Sequence, residues 1–163
     1  MPALPGVARD TPMAVVDYRL ADLEDVAGLA KIRAEDWGDE EYWRVRISGY
    51  LRGEIHPRHS LKERVIFAAE ERSLFVGFIA GHLTLRHDCQ GELEWITVVP
   101  EYRRKGVASA LLGRLAEWFG ERDALRVCVD VSPDNEAARA FYRRHGAEDL
   151  KPHWMVWQDV RKV

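Results

Sequence analysis

The chain has 163 residues, 47% of them hydrophobic and 31% charged, with a formal net charge of -3. That length builds one domain with a real core and needs neither disulfides nor a metal to hold it together. No apolar run approaches the ~18 residues that cross a bilayer, and a mildly acidic chain lacks the basic face of nucleic-acid binders, so neither a membrane nor a nucleic acid is an expected partner.

Residues 1–13 carry Pro2, Pro5, Gly6 and Pro12 and have no basic segment leading into an apolar core. They read as a flexible leader rather than a secretion signal, which makes the chain cytoplasmic and places its domain over residues 14–163. Residues 14–20, with Val15, Val16 and Tyr18, predict a first strand. Asp22 then starts a helix, with Asp25 three positions on and Leu23, Val26, Ala27 and Ala30 recurring at helical spacing through Arg33. Residues 39–51, containing Tyr42, Trp43, Val45, Ile47 and Tyr50, predict a second helix, and residues 55–60 a connection bearing Pro57. Residues 65–70 and 74–86 are β-rich on either side of a short charged turn, the pattern of a hairpin. After a polar turn at 87–91, residues 93–99 form the strongest strand signal, closed by Pro100, which has no amide for a ladder.

Residues 107–119 carry a wide apolar stripe at helical period, and the helix is expected to stop at Gly120. Residues 125–131 predict a short strand. Residues 135–145 predict a helix introduced by Ser132, Pro133 and Asp134 and closed by Gly146. Residues 147–150 and 154–160 supply the last strands, joined at Pro152. This order predicts a mixed α/β sheet rather than a regular βαβ array. Cys89 and Cys128 read as reduced thiols, and the six histidines lack a compact ligand spacing, so no metal is expected.

The chemistry concentrates in residues 92–119. After Pro100 the chain reads Glu101, Tyr102, Arg103, Arg104, Lys105, Gly106, Val107, Ala108, Ser109 and then becomes an amphipathic helix. Consecutive backbone N–H groups at the positive end of a helix suit a pyrophosphate. Gly106 allows close approach, Ala108 and Ser109 avoid crowding, and Arg103, Arg104 and Lys105 add positive charge. Read alone, these three cations also fit an ordinary solvated turn.

In this setting the sequence resembles the GNAT superfamily of N-acetyltransferases. The signature of Arg, two residues, Gly, one residue, Gly or Ala is present as Arg103, Gly106 and Ala108, between a strand ending in Pro100 and a long helix. A second family pattern appears as Asn135, Ala138, Tyr142 and Gly146. Arg104, Ala108 and Ala147 depart from the commoner residues without removing a backbone donor. The resemblance implies a GNAT-type α/β fold, a mixed, mostly antiparallel central sheet flanked by helices. It also implies acetyl-CoA as cosubstrate and a small-molecule or peptide amine as acceptor, and it leaves a homodimer open.

It further implies that the strand before the loop parts from its neighbour and holds the pantetheine arm through Ile96, Thr97 and Val98, with the Ile96 N–H on the thioester carbonyl. The phosphate contacts would fall on Arg103, Arg104, Lys105, Gly106, Val107, Ala108 and Ser109. Asn135 would hydrogen-bond the coenzyme arm, and Tyr142 would serve as general acid. Glu92 and Glu94 share one face of their strand, and either can take the proton that an alkylamine must lose before attack. An exposed face carrying ordinary charges is the alternative for that pair, and half-buried packing is the alternative for Tyr142. Trp37, Tyr42, Trp43 and Tyr50, with Arg44, Arg46 and Arg52 close by and Trp154 and Trp157 from the C-terminal side, could line an acceptor site, although aromatics at such spacing are commonly core and arginines commonly solvated. A module that binds the coenzyme without turnover, or an enzyme using another acyl group, fits the same motifs.

Overall fold

The computed structural model describes residues 15–163, and the leader expected over residues 1–13 lies outside the described residues. Seven strands, β1 (Asp17–Leu20), β2 (Ser60–Glu71), β3 (Leu74–Thr84), β4 (Gly91–Val98), β5 (Val127–Asp130), β6 (Glu148–Lys151) and β7 (Trp154–Trp157), form one sheet ordered β1-β2-β3-β4-β5-β7-β6. Only β4 and β5 run parallel; the other neighbours are antiparallel. The α-helices are α1 (Val26–Ala34), α2 (Glu40–Arg52), α3 (Val107–Glu121) and α4 (Glu136–Arg144). This is the mixed, mostly antiparallel sheet flanked by helices that the sequence leads one to expect.

Each helix starts where its cap chemistry dictates. Asp22 accepts the Glu24 N–H at 2.9 Å while Asp25 accepts the Asp22 N–H at 2.9 Å, a reciprocal cap that starts a 3-10 turn leading into α1. Asp39 accepts the Tyr42 N–H at 2.7 Å to start α2, which ends at Gly53 with φ 72°. Together α1 and α2 press Leu29, Ala30, Trp43, Ile47 and Tyr50 onto Ile66, Ala68, Phe78, Ala80 and Trp95 on one face of the sheet. Burying each large side chain contributes about 1.5–3 kcal/mol. The other face packs Leu111, Leu115 and Phe119 of α3 against Val65, Ile79 and Leu93, with Tyr142 of α4 in the same cluster. Here α3 lies so close that a Cβ on Gly81 or Gly91 would run into Leu115 or Phe119.

Several boundaries differ from the sequence expectation. β2 begins at Ser60 rather than residue 65, because β3 offers Ser60 a partner at Thr84. β3 stops at Thr84, short of the expected residue 86, and Arg86–Asp88 forms a 3-10 turn with His87 and Asp88 at positive φ. α3 continues through Gly120 to Glu121, since the left-handed turn that ends a helix falls further on, at Asp123 (φ 54°). Cys89 and Cys128 are buried free thiols packed beside Val156. No helix among the described residues is long and apolar enough to cross a membrane.

Two irregularities at the centre of the sheet shape the rest. β5 pairs with β4 only from Gly91–Val127 to Leu93–Val129, after which β4 runs on to Val98 while β5 ends at Asp130 and stays with β7. A wedge therefore opens between the parallel strands. Within β4, Leu93 faces Gly81 and Trp95 faces Ala80, so Glu94 is an extra residue, a β-bulge.

Candidate active site

The wedge exposes one edge of β4. The Val99 N–H donates to the Val76 carbonyl at 2.9 Å, and alternation then directs the Thr97 amide at β3 as well. Ile96 and Val98 turn their backbone groups the other way, into the wedge. Thr97 is thereby distinguished from its neighbours: it is buried, and its hydroxyl accepts a hydrogen bond from the Arg33 guanidinium at 2.9 Å.

At the end of β4 the chain passes through Pro100–Tyr102 into the loop before α3. Arg104 (φ 61°) and Gly106 (φ 82°) both take left-handed backbone, and the Gly106 carbonyl accepts the Ala110 N–H at 3.0 Å. The amides of Val107, Ala108 and Ser109 thus form the first turn of a 15-residue helix and have no acceptor within it. No side chain caps that turn. The cations divide their duties: Arg103 donates to the Val98 carbonyl at 3.2 Å and approaches Asp36 at 3.5 Å, whereas Arg104 and Lys105 are exposed, the latter over the Tyr102 ring. Ser109 shares a hydrogen bond with His145 Nε2 at 3.0 Å, which ties the start of α3 to the end of α4. Burial lowers the pKa of that imidazole.

The bulge gathers Glu92, Glu94, Trp95 and Thr97 on the α1/α2 side of the sheet. Glu92 is buried and paired with Arg86 at 3.0 Å, and the same guanidinium lies 4.6 Å from the Trp154 ring. Glu94 has no such partner. Burial pushes its carboxyl above the ordinary range and Glu92 adds to the rise, while His82, Arg46 and Arg86 act against it. Both carboxylates open on a cavity of about 380 Å³ lined by Arg58, Arg86, Trp95, Asp130 and Trp154 among others. A larger cavity of about 600 Å³ between α1 and the β2–β3 turn is lined by Gly28, Leu74 and Phe75, and neither carboxylate reaches it. His82, Glu92 and Glu94 bring one ligand-type atom each within 4.8 Å. Arg86 already pairs with Glu92 in that group.

Tyr142 projects from α4 against Trp157, at 5.6 Å between ring centres, and is 5% exposed. Burial pushes its phenol up to about 12, and Arg33 opposes the rise from across the wedge. Asn135 caps α4, its side chain accepting the Ala138 N–H at 3.1 Å. Of the aromatics considered for an acceptor site, Trp43, Tyr50 and Trp157 are fully buried core, Trp37 and Tyr42 are exposed, and Trp154 lines the smaller cavity.

Sequence reasoning did not single out Arg33 or Arg86, counted Tyr50 only among aromatics that could line an acceptor site, and read His82 with the other histidines as no metal ligand. Arg33 is enclosed by Thr97, Asp36 and the Trp43 ring at 4.7 Å, and burial lowers its pKa. A histidine within the apolar run Phe78–Leu83 was the one visible signal, since such a residue needs a buried partner.

The sequence matches the Acetyltransferase (GNAT) family over residues 18–147. It is 24% identical over 125 residues to an aminoglycoside N(6')-acetyltransferase type 1 of Salmonella enteritidis, a match covering 68% of this chain and 86% of the relative. The structure of the aminoglycoside N-acetyltransferase AAC(6')-Iy in complex with CoA superposes with a TM-score of 0.71 at 19% identity, over 86% of this chain and 93% of that one. PaiA N-acetyltransferase from Thermoplasma acidophilum in complex with coenzyme A gives a TM-score of 0.64 at 17% identity, over 89% and 99% of the two chains.

Proposed function

The chain belongs to the GNAT family of acetyltransferases, and from that premise we propose that it transfers an acetyl group from acetyl-CoA to a primary amine of a small molecule or peptide by direct attack. The observation that carries this reading is the wedge beside β4. Along it run the Ile96 backbone groups that β5 does not pair and, beyond Val98, the amide-lined start of α3, while the Glu94 carboxylate, which no arginine pairs, lies on the same strand.

The coenzyme pyrophosphate lies on the amides at 106–109, where the helix end favours negative charge, with Arg104 and Lys105 adding exposed charge. The pantetheine arm then occupies the wedge as a missing strand, and the Ile96 N–H polarises the thioester carbonyl. That hydrogen bond strengthens as the oxyanion forms, so it lowers the barrier as well as binding. Glu94 takes the amine proton, because burial raises its proton affinity and the Glu92 charge is already matched by Arg86. After collapse the thiolate leaves toward Tyr142. A phenol held at about 12 donates a hydrogen bond to the thiolate, a weaker base, rather than giving up its proton.

The acceptor enters through the cavity lined by Glu94, Asp130, Trp95 and Trp154. Three carboxylates, one of them matched by Arg86, and two indoles outweigh the single further cation Arg58 and suit a cationic amine, and the resemblance to aminoglycoside N-acetyltransferases supports that class. The test is thiol release from acetyl-CoA across a panel of aminoglycosides, polyamines and peptide amines. Turnover with a cationic small amine is the expected result. Tight coenzyme binding without turnover on any amine would replace the reading with a coenzyme-binding module.

A further inference from the structure

We infer that His82, locked in one tautomer by Tyr50, is the positioning residue that assigns different roles to Glu92 and Glu94. The inference rests on the reading of Glu94 as the base. His82 is completely buried on β3, directly across from Glu92 in the ladder. Its Nδ1 lies 2.9 Å from the Tyr50 hydroxyl, and its Nε2 is buried with no hydrogen-bond partner among the described residues. Nε2 is 3.7 Å from Glu92 Oε1, and Nδ1 is 4.0 Å from Glu94 Oε2.

The Tyr50 hydroxyl decides where the imidazole proton sits. Tyr50 is also completely buried, and burial raises its pKa well above the ordinary phenol, so it keeps its proton and must place it on an acceptor. Nδ1 is the acceptor within reach. Were Nδ1 protonated instead, the Tyr50 O–H would be left buried with no acceptor, whereas a proton on Nε2 still faces the Glu92 carboxylate at 3.7 Å. With Nδ1 accepting from Tyr50, the ring proton sits on Nε2, which faces Glu92 Oε1 across 3.7 Å, and Nδ1 offers Glu94 no donor.

The consequence is a division between two carboxylates on one bulged strand. Glu92 accepts from Arg86 and faces the imidazole Nε2–H across 3.7 Å; Glu94 has neither and keeps a high affinity for the amine proton. The charged or titratable groups that surround the pair are Arg33 from α1, Arg46 and Tyr50 from α2, His82 from β3, Arg86 and His87 from the following turn, Cys89 and Cys128 beyond Glu92, Arg58 and Asp130 across the cavity, and Arg64 of β2 behind Tyr50. Among them, Tyr50 acts on the tautomer directly.

Removing the hydroxyl in Tyr50→Phe frees Nδ1 to carry the proton and turn a donor toward Glu94. A donor stabilises the carboxylate, so the acidic limb of the kcat/KM profile should move to lower pH by about one unit. The KM for acetyl-CoA should stay unchanged. An unmoved limb, with only a lower kcat, would overturn the inference. Nitrogen-15 spectra of the histidine-labelled wild-type protein, with the His82 signals identified by their loss in His82→Leu, read the tautomer independently of turnover. A bare Nδ1 and a protonated Nε2 are expected, and a protonated Nδ1 would overturn the inference even in an active enzyme. The expected tautomer in a protein that acetylates no amine would instead sink the parent reading, and the inference with it.

Discussion

The loop before α3 and the cluster beneath β4 lie at opposite ends of the same strand, and they are built in opposite ways. The loop is contiguous over residues 103–109, exposed through Gly106, and made of main-chain amides whose direction is fixed by left-handed backbone at Arg104 and Gly106. The cluster is buried and made of side chains from α2, β3, β4 and the turn at Arg86. A main-chain site depends on backbone angles and tolerates most side-chain changes around it. A buried side-chain site depends on every partner, because each unmatched group is left in a medium that cannot solvate it.

The largest expected effect tests the buried side. Glu94→Gln should lower turnover by about 100-fold while leaving coenzyme affinity, read by calorimetry, unchanged. Turnover at the wild-type rate would move the base to Glu92. Turnover of the wild-type protein should itself fall as pH drops through the Glu94 pKa, above the range of an ordinary carboxylate, since the base works only when ionised. Next, Arg86→Met strands Glu92 in the interior and should lower the unfolding free energy by about 2 kcal/mol, as read by denaturant titration. A smaller loss would mean that water reaches Glu92 from the cavity.

The exposed side should respond through affinity. Gly106→Val puts a branched residue at φ 82° and should weaken coenzyme A binding by about tenfold in calorimetry, with turnover at saturating coenzyme nearly kept. Tyr142→Phe removes a donor to the departing thiolate and should slow turnover by several-fold, about 1 kcal/mol, with little change in coenzyme affinity. Arg104→Ala should cost least, about twofold in coenzyme affinity and fading as salt rises, because an exposed charge is screened. If Arg104→Ala cost more than Gly106→Val, the loop would hold phosphate by side chains and the contrast between the two regions would fail.

The parts that could be read in advance are those whose causes sit within a few residues. Asp22 and Asp39 start their helices by bonding amides two or three positions on, and the α3 stripe and the turn at Gly106 follow from local periodicity and one permissive residue. Strand limits were less secure. Ser60 is in β2 only because Thr84 stands opposite it, and Gly120 continues α3 because the chain turns later.

The sequence by itself determined the element order, the amide-lined helix start and the presence of two carboxylates on one strand. Only the tertiary structure decided that β5 would stop early and open the wedge. It also decided that Glu94 would be a bulge, that Arg86 would take Glu92, and that Tyr50 would reach His82 across 32 positions. Helix caps and periodicity act over one turn of chain, whereas strand register and buried pairing are set by whichever distant residues the packed core brings into contact.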